Sequence, residues 1–147
     1  MKRFRFSLET LLKLRKEKEQ ECEIVLARAA GELSVVRRQI DEAVEAGERA
    51  FQEQWTSLDD LRSRELVLLK SMNDRKKLEK PLQEASRKVD EARVVYTKAH
   101  AQRSALDKLR DKRKDQWKTH AKLEAIKRLD ETSKGTEARR RLRGGEG

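Results

Sequence analysis

Aromatic side chains, glycine, proline and cysteine are all scarce in this 147-residue chain, and each scarcity closes a class of structure or chemistry. Three Phe, two Trp and one Tyr make up 4% of residues. With apolar residues of every kind at 35%, the chain lacks the bulk for an ordinary globular core. The single cysteine, Cys22, has no partner for an internal bridge. Six glycines lie scattered, with no GxxxxGK loop to cradle phosphates, so no ATP site is expected. His100 and His120 have neither a cysteine nor a second histidine at ligand spacing, so no metal and no cofactor is expected. No apolar run approaches the roughly 20 residues that cross a bilayer. The opening MKRFRFSLETLLKLRKEKEQ also lacks a small-residue cleavage site. The expectation is a soluble cytoplasmic protein with no direct membrane insertion.

Charge is what the chain has in quantity. Charged residues are 44% of the total, and Ala, Glu, Lys, Leu and Arg dominate, a balance that suits long helices and coiled coils. The same low hydropathy also suits a disordered chain, and periodicity separates the two. The net charge is +10. From Lys108 to Arg143 there are 14 Lys or Arg against 6 Asp or Glu, so the basic character belongs to the C-terminal quarter.

Alternating steps of four and three residues pick out Leu8, Leu12, Arg15, Glu19, Cys22, Leu26, Ala29, Leu33, Val36, Ile40 and Ala43. That period of 3.5 holds a stripe against a partner helix, which a period of 3.6 does not sustain over many turns. Hydrophobicity then shifts the seam through Val44 to Phe51, Trp55 and Leu58, in the manner of a stutter. A second seam runs through Leu78, Leu82, Ala85, Val89, Ala92, Tyr96, Ala99, Arg103, Leu106, Arg110, Arg113 and Trp117, and turns from leucine to arginine at its far end. Cys22 and His120 fall on these tracks and are expected to be packing residues. At the start, Ser7 is the expected N-cap, with Phe6 and Leu11 as a hydrophobic staple and Glu9 in the first turn.

Two matching seams in one chain imply a hairpin, and two stretches offer its turn. WTSLDDLRSRE, Trp55 to Glu65, holds Thr56, Ser57, Asp59, Asp60 and Ser63 as possible caps. SMNDRKKLEKP, Ser71 to Pro81, holds Asn73, Asp74 and the only proline. Past Asp130 the glycine-containing ETSKGTEARRRLRGGEG has no apolar stripe and is expected to fray. Acids and bases alternate on helical faces as solvated surface, and two helices offer no enclosed pocket to shift a carboxylate toward catalysis. The chain is therefore not expected to be an enzyme. Acids interspersed in KLRDKRKDQWKTHAKLEAIKRLDE weaken a phosphate-binding reading of the basic arm, and Trp117 is almost alone there as a membrane-interface anchor.

FRFSLETLLKLRKEKEQE from Phe4, LARAAGEL from Leu26, LEKPLQEA from Leu78 and ALDKLRDKR from Ala105 together resemble the family of the flagellar export protein FliJ. Length, charge and helix order agree with that family from end to end. The resemblance implies an all-α fold, an antiparallel two-helix coiled-coil hairpin similar to the central stalk subunit of rotary ATPases, with the second helix longer. It favours the first turn site. Helix one then covers about 7–55, the turn about 56–63 and helix two about 64–132, one hairpin domain followed by a basic flexible tail over 133–147. Pro81 would lie inside helix two and kink it locally.

The partners implied are the hexameric flagellar type III export ATPase, the membrane export gate protein FlhA, and the export chaperones that the protein escorts; no nucleic acid is among them. The protein would be a monomer when free, and would sit in the cytoplasm, peripherally associated with the inner membrane at the flagellar base. The terminal end of the coiled coil would project into the ATPase bore and promote the ring's assembly and activity. On this reading Phe4, Phe6 and Leu8 pack against the ring's inner collar. Arg103, Arg110, Arg113 and Lys114, whose positions lack apolar partners, meet acidic loops. Phe51, Trp55 and Leu78, nearer the hairpin tip, are the candidates for the gate contact. The alternatives are a structural coiled coil of another assembly and a basic nucleic-acid-binding rod.

Overall fold

A computed structural model describes residues 2–54 and 56–145. Nearly all of them lie in two helices, α1 over Glu9–Gln52 with 44 residues and α2 over Leu58–Gly144 with 87. The helices pack against each other as an antiparallel hairpin with the second longer, and no strand occurs among the described residues. Two compact units are distinguished, residues 15–101 and residues 1–14 with 102–147.

In the unit of residues 15–101 the four-three spacing is the packing interface. Cys22, Ala29 and Leu33 of α1 are buried, and so are Ala85, Val89, Ala92 and Ala99 of α2. Ala29, Leu33, Ala85, Val89 and Ala92 form one cluster, with Leu26, Val36 and Leu82 packed on it. Each buried methylene there contributes about 0.8 kcal/mol. Glu19, a polar residue on the α1 seam, pairs across the interface. Glu19 Oε1 lies 3.0 Å from Nδ1 of His100, whose ring stacks on Tyr96 with centroids 6.0 Å apart. At the rim, Lys88 Nζ stands 3.7 Å from Glu32 Oε2.

Toward the turn, the expected shift of the seam through Val44 to Phe51, Trp55 and Leu58 is corrected. The four-three step continues instead through Gly47 and Ala50, both buried. Phe51 is left 68% exposed and Leu58 72% exposed, while Trp55 lies outside the described residues. The reason is space. A Cβ on Gly47 would stand 2.8 Å from Ser71 Oγ and 3.3 Å from Ser71 Cβ. Ser71 is itself buried and donates its hydroxyl to the Ala43 carbonyl at 2.5 Å. Where two backbones close up, a small residue fits and a large apolar one is turned outward.

The connection runs from Gln52 to Leu58, and the competing stretch Ser71 to Pro81 is helical throughout. Ser57 caps α2. Its carbonyl accepts from Leu61 N at 3.1 Å and its hydroxyl accepts from Asp60 N at 3.2 Å. Asp60 in turn accepts from Thr56, through the hydroxyl at 2.7 Å and the backbone N–H at 3.3 Å. These bonds from Thr56, first its hydroxyl and then its amide, hold the Asp60 carboxyl below the usual aspartate pKa. On the other side Arg64 donates to the Phe51 carbonyl, and its guanidinium sits 4.8 Å from the Phe51 ring centroid. Pro81 lies inside α2 on its exposed side, where it supplies no N–H to the Lys77 carbonyl.

At its far end α2 runs to Gly144, a correction to the helix end expected near 132. The missing apolar stripe shows in burial, since every described residue from 122 onward is exposed, but not in the backbone. Helix bonding is local, and Glu137 to Leu142 are good helix formers. Thr132 and Thr136 also return their hydroxyls to the carbonyls four residues back, at 2.8 and 2.9 Å.

Substituting Gly47→Ala should lower stability by about 1–2 kcal/mol in urea unfolding, since overpacking outweighs the gain in helix propensity. Most of that cost should vanish in a Ser71→Ala background. Because the folded-state pKa of Asp60 is depressed, its contribution is present above the unfolded value near pH 4 and is lost as pH falls through the lower, folded value. Protection of the Asp60 and Leu61 amides, taken relative to their intrinsic exchange rates at each pH, should therefore fall on acidification below about pH 4, and Asp60→Asn should remove that step.

Candidate functional site

The sequence's opening stretch and its basic arm meet in the unit of residues 1–14 with 102–147. Residues 2–6 are not helical, and Ser7 and Leu8 form a turn in which Glu9 N donates to the Phe6 carbonyl at 3.2 Å. The first four-residue bond runs from Leu12 N to the Leu8 carbonyl at 2.8 Å, which makes Leu8 the cap residue and corrects the expected cap at Ser7. Ser7 is spent differently: its hydroxyl accepts from Arg113 Nη1 at 2.9 Å. The expected staple residue Leu11 remains 37% exposed, and Leu12 is the fully buried side chain.

The two aromatics are held by α2. Phe6 is 7% exposed, with the Arg113 guanidinium 5.7 Å from its ring centroid. Phe4 is half-buried beside Trp117, with centroids 6.1 Å apart and planes tilted by 52°. Arg110 Nε lies 3.4 Å from Glu9 Oε2. Arg103 Nη1 meets Asp107 Oδ2 of its own helix at 2.6 Å. Leu8 is half-buried and Lys114 is exposed. The structure thus brings Phe4, Phe6, Arg110 and Arg113 together, while Arg103 is satisfied along α2. Beside Trp117 a groove of about 480 Å³ is lined by Lys2, His120, Glu124 and Arg128. His120 is exposed and 3.5 Å from Glu124, so the packing role expected of it is corrected: its track has no facing helix to pack on.

Of the tip residues, Phe51 and Leu78 line different grooves, and Trp55 lies outside the described residues. Sequence reasoning missed Glu9, Ser7 and Trp117 as partners of the arginines and of Phe4. Ser7 lies 106 residues from Arg113 and Trp117 still further from Phe4, and no local period signals such pairs. Cys22 is buried as a free thiol. Among the described residues no cluster of metal-ligating side chains occurs, and no helix is long and apolar enough to cross a membrane.

Charge divides unequally between the units. Residues 1–14 with 102–147 hold 19 Lys or Arg against 9 Asp or Glu, whereas residues 15–101 hold 18 against 18. The whole excess of +10 therefore sits in the unit that carries the aromatic cluster. Phe6→Ala should destabilise that unit by about 3 kcal/mol, the low end for a buried aromatic. Faster amide exchange over residues 8–14 should report the loss, with exchange at Ala85 to Ala92 unchanged.

A family model described as the flagellar FliJ protein matches residues 4–142. Among curated proteins and among solved structures, none matches the chain.

Proposed function

We propose, from the premise that this chain belongs to the flagellar FliJ family, that it is a non-catalytic stalk of flagellar protein export. Residues 2–14 and 102–145 enter the central bore of the hexameric export ATPase, promote assembly of the ring and raise its activity. The protein also links the ring to the export gate protein FlhA and escorts export chaperones. It works from the cytoplasm, peripherally associated with the inner membrane at the flagellar base.

One observation carries this reading: the entire net charge of +10 sits in the unit that also holds a partly exposed pair of aromatics, Phe4 and Trp117. A basic patch with an apolar anchor suits an acidic protein surface that also offers apolar contact, and complementary charge speeds and orients docking. Two packed helices are roughly 20 Å across, about the least that can enter a ring while still breaking its sixfold symmetry. Phe51 and Leu78 serve the gate contact, Phe51 as an exposed ring at the turn and Leu78 as a half-buried residue of the seam.

Titrating the protein into the purified ATPase tests the proposal. Hydrolysis should rise and the hexamer fraction should grow, both effects should weaken with added salt, and Phe4→Ala with Phe6→Ala should reduce them several-fold. Wild-type protein that neither stimulates hydrolysis nor adds hexamer removes the reading.

A further inference from the structure

The arginines proposed to meet an acidic partner are already engaged within the chain, and their engagements differ in kind. Arg113 rests on neutral groups, the Phe6 ring and the Ser7 hydroxyl. Arg103 faces Asp107 on its own helix, with side chains 24% and 31% exposed. Arg110 faces Glu9, a carboxylate supplied by the start of α1, at 3.4 Å. Both side chains of that pair are 41% exposed, so a competing carboxylate can approach without unfolding anything. An exposed pair of this kind is weak and is screened by salt, which makes it displaceable.

Glu9 also has a second source of stabilisation. It lies in the first turn of α1, where the unpaired N–H groups of the helix start favour a negative charge. When Arg110 leaves, Glu9 is not stranded, and the cost of exchange falls.

We infer that Glu9 is an internal stand-in for the partner's carboxylates, an autoinhibitory contact that holds Arg110 until an acidic partner displaces it. The inference rests on the reading that this end meets an acidic protein surface, and it concerns the regulation of that contact. Glu9 lowers the affinity of the free protein for stray anionic surfaces. It also keeps Arg110 extended at the place where the partner's carboxylate will sit.

The test measures binding to two probes, the purified export ATPase and soluble poly-L-glutamate. Glu9→Gln keeps the shape and removes the charge, and should bind each probe roughly two- to fivefold more tightly at low salt. Glu124→Gln removes the same charge from the same unit without touching Arg110, and should gain less. In an Arg110→Gln background the Glu9→Gln gain should vanish. Circular dichroism confirms that helix content is unchanged in each variant. No gain, an equal gain from Glu124→Gln, or a gain that survives the loss of Arg110 overturns the inference. A gain on poly-L-glutamate with no binding of wild type to the ATPase leaves the contact standing and removes the proposed function. Wild-type binding to the ATPase without any gain does the reverse.

Discussion

A pair of helices has a single shared face, so each side chain that leaves water must find its cover on one facing helix. That constraint selects the residues of the seam. In the unit of residues 15–101 the interface is made chiefly of small or branched side chains, Cys22, Ala29, Leu33, Ala85, Val89 and Ala92. Near the turn the demand for smallness is strictest, and there Gly47 and Ala50 lie inside while Phe51 lies outside. Ser71 is tolerated in the same place because its hydroxyl has the Ala43 carbonyl as an acceptor.

The same constraint governs the polar seam positions. With no third layer to bury them, they persist as pairs reaching across the interface, Glu19 with His100 in one unit and Glu9 with Arg110 in the other. Such pairs add little stability where they remain half exposed, but they specify which groups face each other. They also leave the charged heads within reach of a competitor. An interface that is short of apolar residues is thereby suited to exchange partners, which a leucine seam would not be.

Much of the fold was legible because helix period, capping chemistry and charge are local properties. The alternating steps through Leu26, Ala29, Leu33 and Val36 name residues that the structure buries or half-buries, and the arginine-rich far end of the second seam is where burial fades. The candidate site was legible in its residue types and not in its connections. Phe4, Phe6, Arg110 and Arg113 do converge, but a reading of neighbours in sequence assigned Ser7 and Phe6 to a cap and staple, whereas α2 recruits both.

The sequence alone determined that this chain is helical, that its helices pair along a 3.5-residue stripe, and that its excess charge lies toward one end. Those follow from side-chain spacing and composition, which act over a few turns. Tertiary structure decided which carboxylate holds Arg110, which ring lies beneath Arg113, where the backbones come too close for a Cβ, and that the helix outruns its apolar stripe to Gly144. The first three depend on which surfaces face each other across two antiparallel helices, and that relation is set by the packing of the pair and by no residue's immediate neighbours. The last reflects backbone bonding that is local and passes from turn to turn, here even through Thr132 to Thr136, whether or not a second helix lies alongside.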